Sequence, residues 1–108
     1  MRARLKSEAQ AKIPAWFDEG LALQNDYREI YSEEQWISQT DNGKNVVAPE
    51  DMDTPAEFYA GEAKDRRFRY LNAKHELHVW LAAHGQQGLL ALIDQLNEGT
   101  DFNTAYGR

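Results

Sequence analysis

The residue best suited to chemistry in this sequence is Glu19, a carboxylate in an apolar segment. Trp16, Phe17 and Leu21 lie close to it, so a helix here would carry the carboxylate among large apolar side chains. A carboxylate removed from water costs free energy unless a positive group meets it. A zinc ion held also by two histidines would do so, since zinc accepts carboxylate and imidazole ligands. The residues alone leave open the alternative of an ordinary helical glutamate near an arginine.

The histidines are the other candidate metal ligands. His75 and His78 are three residues apart, so they can share a helical face and, with Glu19, complete a zinc site. Both lie beside the predicted apolar stripe, where a solvated histidine is the simpler interpretation. The HExxH motif, which supplies two histidines one turn apart and a water-activating glutamate, is absent. His84 follows the apolar face to a predicted helix end, where we expect it to cap the last carbonyls.

The elements that must position these residues are predicted to be helices. Pro14 opens one helix, and Ser32 to Gln35 has the capping-box pattern of another. The clearest helix start is Thr54-Pro55-Ala56-Glu57, and helical sequence runs from there to His84 with a break near Gly61. Further helices are predicted over residues 2–12, from Leu89 to Leu96 and near Phe102. Gly85 and Gly99 are predicted to end helices.

We therefore predict a mostly α fold, a small helical bundle that forms a single domain over residues 1–108. One short β-hairpin near residues 37–48 is an alternative for part of the chain, because Asp41-Asn42-Gly43 is a strong turn signal between Ile37-Ser38 and Val46-Val47. The acidic stretch 50–53 is interpreted as a solvated loop.

Composition excludes several classes of function. The 108 residues carry a net charge of -6, with basic residues scattered among acidic ones, so a nucleic-acid partner is not expected. No cysteine is present, which excludes disulfides and thiolate zinc sites. No apolar run is long enough to span a bilayer, so we expect no membrane partner. If Met1 is the true start, we expect a cytoplasmic location.

Residues 13–22, Ile-Pro-Ala-Trp-Phe-Asp-Glu-Gly-Leu-Ala, resemble the proline-aromatic-Glu-Gly-Leu-Ala helix of gluzincin zinc peptidases, the peptidase MA-like group. The resemblance implies that Glu19 is the third zinc ligand. It also implies that the small residue after the glutamate lets this helix sit close to its neighbour.

A second segment supports the same family. Residues 70–73, Tyr-Leu-Asn-Ala, and the stretch to Gly85 are similar to the family's Tyr-x-x-Ser helix, and residues 88–105 resemble its usual tail. Ala73 stands where the family has serine, which leaves a polar role there in doubt. The resemblance implies that Tyr70 is a catalytic residue that stabilises an oxyanion. The alternative is a half-buried core tyrosine.

The absent HExxH motif decides what the resemblance implies for function. We expect a partial or degenerate zinc-metallopeptidase-like domain without peptidase activity as this isolated chain. Zinc is expected only if an HExxH helix is supplied, and such a helix would lie just before Met1. We expect an open cleft lined by Trp16, Glu19 and Tyr70, with self-association or an upstream segment packing on the helix of Trp16 and Glu19. The alternative function is a small acidic helical protein-interaction module.

Overall fold

The structure, a computed structural model, describes residues 5–107 and is helical throughout its regular parts. Two 3₁₀ turns, Glu29–Tyr31 and Pro49–Met52, lie among the α-helices. The α-helices in chain order are α1 Ser7–Gln10, α2 Ala15–Leu23, α3 Glu33–Gln39, α4 Pro55–Phe58, α5 Ala63–Asn97 and α6 Phe102–Tyr106. The predicted mostly α fold class is confirmed. None of these helices is both long and apolar enough to cross a membrane.

The hairpin near residues 37–48 is wrong, since residues 5–107 contain no strand. Ile37 lies inside α3, and the turn that follows closes that helix instead of joining two strands. The buried Thr40 hydroxyl donates to the Trp36 carbonyl at 2.6 Å and accepts from the Gly43 amide at 3.0 Å. Asp41, Asn42 and Gly43 all have positive φ, and this left-handed run ends the helix.

Several helix ends lie where the sequence carries a strong local signal, such as a capping residue or a glycine. Thr54 and Glu57 form the predicted capping box, each bonding the other's backbone amide at the start of α4. At α3 the Ser32 hydroxyl accepts from the Gln35 amide at 3.2 Å. The predicted break near Gly61 is confirmed, because Gly61 has a φ of 81° between α4 and α5. Of the helix predicted over residues 2–12, only Ser7–Gln10 is helical, and residues 1–4 lie outside the described residues.

Contacts divide the chain into two compact units, one formed by residues 1–13 and 80–108 and the other by residues 14–79. In the first unit the Trp80 indole stacks on Tyr106 and its Nε1 donates to the Tyr106 carbonyl at 3.0 Å. Leu92, Ile93 and Leu96 complete that core. His84, predicted as a cap, is exposed and stacks on Trp80, with 4.2 Å between ring centroids. α5 is interrupted at Gly85, as predicted, by a φ of 73°.

The second unit is organised by the close packing of α2 against α5. A Cβ added to Gly20 would stand 2.9 Å from the carbonyl oxygen of Ala73, which is fully buried. The Gln24 amide links the same two helices, donating to the Gly20 and Lys74 carbonyls at 3.0 Å each. Around this contact the most deeply buried side chains are Trp16, Phe17, Met52, Phe58, Leu71 and Leu77. The small residue after Glu19 therefore allows the close approach that the sequence predicted.

Replacing Gly20 with alanine tests this contact, because the sign of the change in the free energy of unfolding depends on whether a methyl group fits there. In a helix that accepts a methyl group, Gly→Ala stabilises by about 0.5–1 kcal/mol. Here the methyl group would press on a backbone carbonyl, and overpacking costs about 1–3 kcal/mol. We expect a net loss of about 1 kcal/mol in the free energy of unfolding, measured by urea denaturation.

The control is Ala22→Ser on the exposed side of α2, where we expect at most a few tenths of a kcal/mol from helix propensity. A stabilised Gly20→Ala protein would contradict the close approach.

Candidate functional site around Glu19

Glu19 lies in the middle of α2, half-buried, with its side chain bonded to a tyrosine. The Tyr59 hydroxyl donates a hydrogen bond to Glu19 Oε1 across 40 residues of sequence. Tyr59 directly follows α4 and is 42% exposed. The group that meets the carboxylate is thus a neutral phenol and not the positive group expected from the cost of removing a carboxylate from water. A carboxylate held this way has one oxygen engaged and a fixed orientation.

The start of α2, which fixes the position of Glu19, is held by the acidic segment before α4. The Ala15 amide donates to the Asp53 carbonyl at 2.7 Å, and Trp16 Nε1 donates to Asp53 Oδ1 at 3.1 Å. Met52, beside it, is completely buried. The interpretation of residues 50–53 as a solvated loop is therefore wrong at Met52, whereas Asp53 is exposed and also bonds the start of α2. A carboxylate here also suits the positive end of the α2 dipole.

Tyr70 lies beside the same site, on α5. Its ring makes edge contacts with Tyr31 and Phe58, at 6.1 Å and 5.2 Å between centroids, and the side chain is half-buried. Burial raises the pKa of Tyr70, and the negative charge of Glu19 adds to the effect. Within residues 5–107 its hydroxyl has no hydrogen-bond acceptor, so the phenol keeps a free donor near the carboxylate. Tyr70 is near enough to Glu19 for the carboxylate charge to contribute to its raised pKa.

Trp16 does not line an open cleft, and that expectation is wrong. The indole is only 1% exposed, because it packs edge-on against Phe17 and bonds Asp53. The exposed ring beside Glu19 is Tyr59, which the sequence analysis did not single out. No local pattern marks Tyr59, since it meets Glu19 only through the tertiary fold. The surface formed by Glu19, Tyr59 and Tyr70 is hereafter called the Glu19 site.

The histidines are not gathered at the Glu19 site. The His75 ring stacks on Trp36, with 3.4 Å between centroids and 10° between planes. Its Nδ1 lies 2.6 Å from Glu33 Oε1, outside hydrogen-bond geometry. His78 is exposed. Across the described part of the chain, no group of three or more His, Asp or Glu side chains could hold a metal ion.

Comparison of this chain with protein-family models, with curated proteins and with solved structures finds no match. The resemblance of residues 13–22 to the gluzincin helix therefore stays a prediction, as do the roles of Glu19 and Tyr70 that it implies. What the structure adds is the immediate environment of both residues.

The hydrogen bond to Glu19 is the largest influence on the pKa of Tyr59. Hydrogen bonding to Glu19, then burial, then the charges of Glu19, Tyr70 and Asp18 raise the pKa of Tyr59 well above its usual 10.0. We expect Glu19→Gln to lower that pKa, because the amide cannot oppose formation of the phenolate by charge. The measurement is an alkaline titration of tyrosinate absorbance, with Tyr59→Phe identifying the Tyr59 signal.

The matched control is Asp18→Asn, which removes the neighbouring carboxylate of α2. Asp18 is the smallest named contributor, so we expect a clearly smaller shift. The direction of the Tyr59 pKa shift also predicts how the stability of the fold depends on pH. Because the folded pKa is raised, the Tyr59–Glu19 bond stabilises the fold below pH 10.0 and loses its effect as pH rises further. Equal shifts in both variants would contradict the bond.

His75 and His78 offer a second matched pair. Both are on α5, so replacement by alanine changes helix propensity equally, but only His75 stacks on an indole. Aromatic pairs contribute about 0.5–1.5 kcal/mol beyond buried area. We expect His75→Ala to lower the free energy of unfolding by about 1 kcal/mol more than His78→Ala. Chemical denaturation followed by circular dichroism measures both, and equal values would contradict a structural role for His75.

Proposed function

We propose that residues 14–79 form the part of a gluzincin-type metal site that contributes the carboxylate ligand. In this proposal Glu19 is the third zinc ligand, and the chain of 108 residues has no peptidase activity by itself. The observation that carries it is the carboxylate of α2, half-exposed and held by the Tyr59 hydroxyl. Ligating carboxylates are commonly oriented by such outer hydrogen bonds.

Zinc fits this site in part. With Oε1 engaged by Tyr59, the second carboxylate oxygen of Glu19 is the atom that would bind the ion. A catalytic zinc takes three protein ligands and keeps one open position, and the described residues offer no such group. Two further ligands would have to come from another segment or another chain. When bound, zinc would act as a Lewis acid on a peptide carbonyl.

This chain's own residues would then have separate roles. Gly20 lets α2, which carries Glu19, lie against α5, which carries Tyr70. Tyr59 orients the carboxylate. Tyr70 keeps its proton at neutral pH, as any tyrosine does whose pKa is not lowered, and its free hydroxyl could donate to an oxygen on which negative charge develops. These features support the proposal and agree with the residues that carry the family resemblance.

The first test is metal content. We expect the untagged 108-residue protein to contain no stoichiometric zinc after dialysis against zinc, measured by inductively coupled plasma mass spectrometry, because one carboxylate does not hold the ion. Stoichiometric zinc lost in His75→Ala or His78→Ala would contradict the proposal in favour of a site built from those histidines.

The second test is the DNA upstream of the Met1 codon. An in-frame HExxH would supply the missing ligands, and we expect the longer protein to bind one zinc ion. There Glu19→Gln should abolish zinc binding, while Asp18→Asn, on the same helix, should retain it. Full zinc binding by the Glu19→Gln protein would refute Glu19 as a ligand. A frame without HExxH would leave only a degenerate domain.

A protein-interaction module is the second candidate, and exposed apolar side chains favour it. Tyr27 is 87% exposed and Ile30, three residues later, is 46% exposed. Exposed aromatic and aliphatic side chains that lie close together are typical of contact surfaces. Glu19→Gln separates the two candidates, because a partner bound through Tyr27 and Ile30 should not respond to it. Tyr27→Ser should weaken the binding of such a partner and leave zinc binding unchanged.

A further inference from the structure

The start of α5 carries four cationic side chains, of which, within residues 5–107, two are hydrogen-bonded and two are not. Arg66 and Arg69 donate to backbone carbonyls of residues 58–61, at 2.9 Å from Arg66 and 2.5–2.9 Å from Arg69. They therefore hold the loop between α4 and α5. Lys64 and Arg67 make no hydrogen bond or ion pair within the described part of the chain, and both are exposed. Lys64 and Arg67 are three residues apart, so they lie one turn apart on α5.

These two cations line one wall of a cavity of about 300 Å³ in the unit of residues 14–79. The lining residues are Glu29, Ile30, Gln35, Gln39, Lys64 and Arg67. The volume is at the lower end of the range for small-molecule sites. It suits a ligand of a few heavy atoms or the last residue of a peptide. The wall opposite the cations comes from α3 and the turn Glu29–Tyr31.

The charge of the lining selects the kind of anion. Lys64 and Arg67 contribute two positive charges and Glu29 one negative charge, which leaves one net positive charge. That balance matches one carboxylate better than a phosphate dianion, which Glu29 would repel. An arginine fork bonds both oxygens of a carboxylate, and a lysine adds a second charged donor.

Neutral groups of the cavity complete the match. The Gln39 Nε2 donates to the Gln35 Oε1 at 3.0 Å, so the Gln35 amide nitrogen remains available as a donor. Ile30 is 46% exposed and gives the cavity an aliphatic surface. A ligand that pairs with Lys64 and Arg67 and also contacts Ile30 therefore has a carboxylate next to a short aliphatic group.

We propose that this cavity binds a carboxylate borne by a branched aliphatic group, as at the C-terminus of a peptide that ends in leucine. A small branched carboxylic acid has the same chemistry. The proposal goes beyond the role of Glu19 and does not depend on it, because no residue of the Glu19 site lines the cavity.

The test is a titration of the ¹⁵N-labelled 108-residue protein followed by backbone amide shifts. The probes are acetyl-Gly-Leu with a free carboxylate, the same peptide as its C-terminal amide, and 4-methylvalerate. We expect saturable shifts at Ile30, Gln35, Lys64 and Arg67 with the free acid, and affinity at least about tenfold lower for the amide. If 4-methylvalerate binds as tightly as the peptide acid, the ligand is a small acid. If it binds more weakly, the ligand is a peptide end.

Variants make the result specific. The double variant Lys64→Gln, Arg67→Gln should lose at least about tenfold in affinity for acetyl-Gly-Leu, whereas Lys44→Gln, another exposed lysine, should bind like the parent. The single variants serve if the double variant does not give a dispersed spectrum.

The proposal is overturned by the absence of saturable shifts with both acids, by equal binding of the acid and the amide, or by unchanged affinity in the Lys64 and Arg67 variants. Inorganic phosphate binding at these residues more tightly than either acid would also overturn it. Because Glu19→Gln should leave this binding intact, failure here is distinguishable from failure of the metal-ligand proposal.

Discussion

A close approach of two helices in the unit of residues 14–79, between Gly20 of α2 and the carbonyl of Ala73 on α5, constrains the packing around it. A side chain at position 20 would collide with backbone, and backbone cannot rotate away as a flexible side chain can. The two helices can therefore approach this closely only with glycine at position 20. Gln24 fixes their register, because its amide bonds a carbonyl of each helix. The depth at which α2 sits then sets how far the preceding residue in the chain, Glu19, is buried.

The position of Glu19 follows from that packing, but its chemistry depends on two tyrosines. Tyr59 engages one carboxylate oxygen, and Tyr70 stands nearby with a free hydroxyl and a raised pKa. Either phenol alone would be an ordinary surface or core tyrosine. Together with a half-buried carboxylate they form a polar group with unused capacity for bonding, at the place where the gluzincin resemblance puts a metal ligand. Among the described residues no group of three or more side chains could hold a metal ion, which is why the proposed role is that of a contributor.

Much of the fold was predictable, because helix ends depend on short-range interactions. The Thr54–Glu57 capping box and the break at Gly61 follow from residues within one turn of each other. The hairpin near residues 37–48 failed for a related reason. A turn signal such as Asp41-Asn42-Gly43 reports left-handed backbone, and left-handed backbone also ends helices. In this protein the turn ends α3, and the buried hydroxyl of Thr40 bonds the end of that helix.

The sequence by itself determined the helices, the small residue after Glu19 and the candidate pair Glu19 and Tyr70, since these are local patterns or follow from a local resemblance. Only the tertiary structure decided the partners. Tyr59 reaches Glu19 across 40 residues, Trp16 is buried against Asp53 across 37, and His75 stacks on Trp36 instead of approaching a metal site. Contacts at that separation depend on how helices are packed, and helical periodicity gives the face of a residue without naming its neighbour.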